Sequence, residues 1–368
     1  MITLLVAAAV SLVFSLLLTP LFARTFRRMN LGQFIRADTP TTHVVKRGTP
    51  SMGGVVFIIA AVTGYFVGHL VGREPPSVPA LLVILMMVGL GLIGFIDDFM
   101  KVHRQNSLGL SGPLKIVGTI IVSVIFSVLA LNYHDSNGVS AASTAVSVVR
   151  DLPFLDFVAI FGAGVGVVLA IAWMALITTS VSNAVNLADG LDGLAAGASI
   201  FALGSYIIIG FWQNQQSCFA GGLDPDVASQ CYEVASPLDL AVIAAAVVGA
   251  VIGFLWWNTS PAQIMMGDTG SFGLGGALAA LAILSRTELL LILLGGLFVV
   301  ITGQVIIQRM YFKATKGKRI WKASPLHHHF EMVGWPEVTI VVRFWLIAGL
   351  FVAGGVFLFY IEWLALLP

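Results

Sequence analysis

Apolar runs of about 20 residues, separated by short polar connections, organise this chain from end to end. Runs of that length match the thickness of bilayer hydrocarbon when coiled as α-helices. Ten spans are predicted, at residues 2–22, 53–71, 79–96, 113–131, 157–177, 194–211, 238–257, 270–284, 289–307 and 340–364. The eighth is short and rich in glycine. A membrane β-barrel does not fit, because its strands alternate apolar and polar positions over about 10 residues. No internal repeat or low-complexity tract interrupts the series, so residues 1–368 are predicted to form one all-α, polytopic membrane domain of about ten transmembrane helices.

Composition agrees with the pattern. Hydrophobic residues make up 58% of the chain and charged residues 10%, against about 25% charged in a soluble domain. The distribution of cations adds an orientation. Of 19 Lys and Arg residues, only Arg73, Arg150 and Arg286 fall in or beside the even-numbered connections. The odd connections carry the rest: Arg24 to Arg47, then Lys101 to Lys115, then Arg309 to Lys322, with Arg343 just beyond. By the positive-inside rule the odd connections are cytoplasmic and both termini extracytoplasmic. The first run is predicted to be a retained span: no cation precedes it, and Arg24, Arg27 and Arg28 follow it. Nucleic acid is not suggested as a partner, since the cations sit in short connections rather than on a soluble domain. Cys218 and Cys231 share one outer connection, where either a disulfide or two free thiols would be compatible with the sequence.

The candidate chemistry lies on the cytoplasmic side. Asp97-Asp98 closes the third span. Adjacent carboxylates at a membrane edge repel unless a cation offsets them, and a hard ion such as Mg²⁺ suits oxygen ligands and phosphates. Between the fifth and sixth spans, Asn183, Asn186, Asp189 and Asp192 recur every third residue among Gly190 and Gly193. That spacing makes a polar stripe if helical, while the glycines favour a turn that brings backbone close to a ligand. Asp268, in Met-Gly-Asp-Thr-Gly-Ser, is either a helix cap or a metal ligand beside a phosphate-favouring helix start. Asn258 lies in the same connection. His327, His328 and His329 are adjacent, an arrangement poor for zinc and better suited to phosphate binding or proton transfer. Lys46-Arg47-Gly48-Thr49-Pro50-Ser51 offers cations, hydroxyls and glycine, without the spacing of a Walker A loop.

Together, the stretches 46–54, 94–98, 183–193, 267–271 and 325–331 resemble, in order and over nearly the whole chain, the bacterial phospho-N-acetylmuramoyl-pentapeptide-transferase (MraY) family of the polyprenyl-phosphate N-acetylhexosamine-1-phosphate transferase superfamily. The resemblance implies transfer of phospho-MurNAc-pentapeptide from UDP-MurNAc-pentapeptide to undecaprenyl phosphate. The products would be lipid I and UMP, in the bacterial inner membrane, with Mg²⁺ as cofactor and a homodimer as the assembly. It implies that Asp268 binds Mg²⁺ and that Asp97 and Asp98 lie near metal and lipid phosphate, with Asp98 the preferred proton acceptor. It places Lys115 near the lipid phosphate and His327, His328 and His329 on the diphosphate side. Asn183, Asn186, Asp189 and Asp192 would contact the nucleoside sugar, with Asp192 nearest the uracil. Lys46, Ser51, Asn258 and Met265 would line the substrate pocket. Three departures stand out: Ser51 replaces the usual Thr, Met265 the usual Phe, and Gln105 a frequent Lys. The rival readings are a GlcNAc-1-phosphate transferase of the same superfamily and a secondary transporter. Acids clustered at one face rather than the midplane argue against the transporter.

Overall fold

The computed structural model describes residues 1–28, 48–104, 109–219 and 230–365. Lys46 and Gln105 lie outside them. In chain order the elements are α1 (Ile2–Arg28), α2 (Gly54–Gly72), α3 (Val78–His103) and α4 (Gly112–Asn132), then β1 (Ala145–Ser147) and β2 (Asp151–Asp156). They continue with α5 (Phe157–Ala188), α6 (Leu194–Gln215), α7 (Pro237–Asn258), α8 (Gly267–Leu284), α9 (Leu291–Leu294), α10 (Gly296–Ala314), α11 (Leu326–Val333) and α12 (Glu337–Ala365). Among the described residues, nine helices are long and apolar enough to cross a membrane. The protein is thus an all-α polytopic membrane protein with one small hairpin.

Small residues bring these helices together. On α1 the buried positions are Thr3, Ala7, Ser11, Ser15, Thr19 and Ala23, one every fourth residue. That stripe faces glycines of its neighbours: a Cβ on Gly64 or Gly68 of α2 would strike Ser11, Thr3 or Ala7, and one on Gly249 of α7 would strike the Ala8 carbonyl. Lipid tails give apolar helices no hydrophobic reason to associate, so close van der Waals packing of small residues holds them.

The eighth predicted span is the centre of the fold. Every residue of α8 from Thr269 to Leu284 is buried. Its modest hydropathy follows from its surroundings, because neighbouring helices rather than lipid enclose it. Gly270 meets the Gly54 backbone of α2, and Gly275 meets Ser182 of α5. On α3, a Cβ at Gly94 would collide with the Asp268 carbonyl. That backbone contact sets Asp97 and Asp98, one turn further on, beside the start of α8.

The ninth predicted span differs from expectation. Instead of one helix over 289–307, the chain forms α9, breaks at Gly295 and continues as α10. The buried Gln304 and Gln308 face a returning segment, and together with the exposed Arg309 and Lys313 they leave α10 outside the nine apolar spans.

The hairpin, absent from the sequence expectation, lies at the end of the bundle opposite the acids. Ser147 of β1 donates its backbone N–H to Glu288 at 3.1 Å and accepts the Glu288 N–H on its hydroxyl at 3.2 Å. At that end Asp239 of α7 accepts hydrogen bonds from Tyr65 and the Ser77 backbone, at 2.9 and 2.8 Å. Cys218 and Cys231 are joined as a disulfide. Arg150 steadies this loop by donating to the carbonyls of Gln230 and Cys231 and lying over the Tyr232 ring at 4.1 Å.

Candidate active site

Three helix ends meet at the site. Asp97, Asp98 and Lys101 occupy the last two turns of α3, Lys115 the first turn of α4, and Asp268 the first turn of α8. Lys101 is four residues beyond Asp97, so the helix itself pairs them, at 2.6 Å. Lys115 reaches the same Asp97 oxygen at 3.0 Å. Both lysines also reach Oδ2 of Asp268, at 3.1 and 2.6 Å. Two ammonium groups thus bridge two carboxylates from separate helices. In so poor a dielectric, unpaired carboxylates would repel strongly.

Asp98 faces differently. Its Oδ1 accepts the Asp268 N–H at 3.2 Å, and its Oδ2 accepts the N–H and hydroxyl of Thr269 at 2.9 and 2.8 Å. It therefore satisfies donors at the start of α8 that no helical carbonyl can reach. Asp268 is not the cap; it is the residue that this cap orients.

Asn186, in the last turn of α5, donates to Oδ1 of Asp268 and to the Ser271 hydroxyl, each at 2.9 Å. Asp97 completes its own shell by accepting the Leu110 N–H at 2.6 Å. Among the described residues, Asp97, Asp98 and Asp268 each present an oxygen within 4.8 Å of the others, a group that could hold a metal ion. Their side chains are 0%, 5% and 15% exposed, so Asp268 is the most open of the three.

The polar stripe divides as the chain turns. Asn183 stays on α5 and donates back to Thr179 at 2.8 Å. Asp189 ends the helix, where burial and the nearby Asp268, Asp98 and Asp192 push its carboxyl up to about 8. Asp192 follows in the Gly190–Gly193 turn. Its backbone N–H is held by Glu337 at 2.9 Å, and its Oδ2 accepts the Ala262 N–H at 3.1 Å. Asn258 accepts from Gly193 and donates to Ile264, tying this turn to the segment before α8. Met265 belongs to that segment and pairs with the loop entering α2: its N–H donates to Pro50 and its carbonyl accepts from Gly53. Ser51 lies buried in the same loop.

The histidines point three ways from α11. His327 is buried against the turn, where a Cβ on Gly190 would strike its ring. His328 pairs with Glu331 at 2.6 Å. His329 accepts the Lys322 N–H at 3.2 Å. Lys101, Thr269, Ser271 and Glu337 join the site without having been singled out in the sequence. Of these, Lys101 left a signal there in its helical spacing from Asp97.

Comparison with known proteins agrees with this arrangement. The glycosyl transferase family 4 profile matches residues 80–286, and the phospho-N-acetylmuramoyl-pentapeptide-transferase signature 1 matches residues 46–58. The chain is 62% identical to the phospho-N-acetylmuramoyl-pentapeptide-transferase of Clavibacter sepedonicus, over 99% of this chain and 100% of that protein. It is 54% identical to the enzyme of that name from Pseudarthrobacter chlorophenolicus, over the full length of both. For Kineococcus radiotolerans the identity is 56%, over 98% of each. The family 4 profile, the signature match and full-length identity converge: the chain belongs to the phospho-N-acetylmuramoyl-pentapeptide-transferase family.

Proposed function

We propose that this protein transfers phospho-MurNAc-pentapeptide from UDP-MurNAc-pentapeptide to undecaprenyl phosphate, yielding lipid I and UMP. The observation that carries the reading is the meeting of Asp97, Asp98 and Asp268 with Lys101 and Lys115 at the ends of apolar helices. There a lipid-borne phosphate and a soluble nucleotide sugar can share one site.

Phosphoryl transfer asks a protein mainly for positioning and charge neutralisation. Lys101 and Lys115 supply two cationic donors, matched to an incoming phosphate whose tail lies in lipid. Asp97, set between them, is the carboxylate placed to take or orient a proton of that phosphate. Asp98, whose oxygens cap the start of α8, is the alternative acceptor. The bond that forms joins a lipid phosphate oxygen to the β-phosphorus; the bond that breaks leaves its oxygen on UMP. Asp192, Asn258, Ser51 and Met265 line the approach of the nucleotide sugar, and Lys46 precedes the loop that carries Ser51. Asn183, Asp189 and the histidine triplet frame the diphosphate side.

The donor set suits a hard divalent cation: clustered carboxylate oxygens, without sulfur and with Asp268 the most open. Asp268 would hold Mg²⁺, which when bound offsets phosphate charge in this family of reactions.

The reading places the site at the cytoplasmic face of the bacterial plasma membrane and both termini outside. Two independent features support that orientation. The cations concentrate on the acid-bearing side, and the disulfide lies at the other end, as an oxidising exterior requires. A homodimer belongs to the same reading; sedimentation with bound lipid counted separately checks it. The reaction itself is tested with UDP-MurNAc-pentapeptide labelled at the β-phosphate. The label should pass to the lipid phase only when undecaprenyl phosphate is present; label remaining with the nucleotide would refute the transfer.

A further inference from the structure

The segment that follows α10 is a built surface. Gln308 accepts the N–H groups of Ile320 and Trp321 at 3.1 and 3.2 Å and donates to the Trp321 carbonyl at 3.2 Å. One turn earlier, Gln304 accepts from Ser324 at 3.0 Å. These two glutamines hold residues 318–325 back against the end of α10, so the chain forms a hook. Thr315 and Lys318 close its bend.

The outside of the hook is basic and apolar at once. Arg309, Lys313, Lys316, Lys318, Arg319 and Lys322 are all exposed. No Asp or Glu occurs between Glu288 and Glu331. Among the described residues none of the six cations forms a salt bridge; Arg319 lies over the Phe312 ring at 5.9 Å. Interleaved with them, Met310, Phe312 and Ile320 are 66%, 44% and 49% exposed. Setting orientation requires only cations near a span end. It does not require a glutamine-braced segment that displays aromatic and aliphatic side chains beside them. Cations with interleaved apolar groups match a layer of anionic headgroups above acyl chains.

We propose that this hook docks on anionic phospholipid headgroups of the membrane that holds the protein. The hook leads directly into α11, whose His329 accepts the Lys322 N–H. Headgroup binding would thus fix the histidine helix relative to the bilayer plane. The proposal is independent of which sugar nucleotide the enzyme uses.

The test uses full-length protein in detergent, with equal phosphatidylglycerol and phosphatidylcholine, and counts bound lipids by native mass spectrometry. A cation near an anionic surface contributes about fivefold in binding. Wild type should therefore favour phosphatidylglycerol by tenfold or more, on the order of two such contacts. The variant K313Q/K316Q/K318Q/R319Q should lose that preference while keeping its thermal unfolding midpoint. If it is not recovered, K316Q/K318Q and K313Q/R319Q should each lose part of it. An R24Q/R27Q/R28Q variant, altered at the same end of the bundle, should keep it. An unchanged preference in the hook variants, a loss confined to the α1 variant, or no preference in wild type would each overturn the proposal.

Discussion

Thr269 donates both its backbone N–H and its hydroxyl to one carboxylate oxygen of Asp98, at 2.9 and 2.8 Å. The pair fixes the end of α3 on the start of α8, and so fixes Asp268 between them. Removing such a cap costs about 0.5–2 kcal/mol. Asp98→Ala should lower the thermal midpoint and raise the Mg²⁺ concentration needed for half-maximal activity. Thr269→Val, which keeps the backbone bond, should do less of both. An Asp98→Ala protein with unaltered midpoint and Mg²⁺ response would rule out the capping role.

Lys115 bridges Asp97 and Asp268 from the first turn of α4. In the proposed role of charge-assisted donor to the lipid phosphate it would be worth about 1.5–3 kcal/mol, or roughly ten- to a hundredfold. Lys115→Gln should raise the KM for undecaprenyl phosphate in that range and leave the KM for the nucleotide sugar nearly unchanged. Steady-state kinetics with each substrate varied in turn decides this, and an equal rise in both would argue against it.

At the opposite end, burial pushes the Glu288 carboxyl up to about 7 from its ordinary 4.5, against the opposing pull of the Trp173 and Ser147 N–H groups. The folded protein therefore binds this proton more tightly than the unfolded chain does. Its contribution to stability is full below about 4.5 and is lost as pH rises towards 7. The window is worth on the order of 3 kcal/mol. Glu288→Gln should flatten the fall in midpoint between acid and neutral pH, and hold a higher midpoint than wild type at pH values above about 8. Parallel pH profiles for the two proteins would contradict this.

The Cys218–Cys231 bridge implies no free thiol among the chain's two cysteines. Unreduced protein should resist maleimide labelling, and reduction should expose two thiols. In intact cells a membrane-impermeant reductant should suffice. Labelling that requires permeabilisation would reverse the orientation of the whole chain.

Much of this was legible in the sequence because hydrocarbon imposes length and apolarity on each span. The acids were legible because a bilayer edge makes a carboxylate conspicuous. Lys101 was read only as a cytoplasmic charge, although its place four residues after Asp97 pairs them on one helix face. The cap that Asp98 forms on α8 was not legible, since it depends on which side α8 approaches. Gly94 permits that approach and carries no chemistry of its own. The break at Gly295 was hidden because an apolar run reads the same whether or not one glycine interrupts its helix. Of the hairpin strands, β1 is only three residues long, and the six of β2 hold an unbroken apolar run with Pro153 inside it instead of an alternation.

The central claim is tested most directly by lipid-product formation with purified protein, undecaprenyl phosphate and Mg²⁺. UDP-MurNAc-pentapeptide and UDP-GlcNAc would be supplied in separate reactions, with Asp268→Asn alongside. The account expects lipid I and UMP from the muramyl substrate alone, and a loss of at least about a hundredfold in the Asn variant. Product from UDP-GlcNAc alone, or full activity in Asp268→Asn, would contradict it.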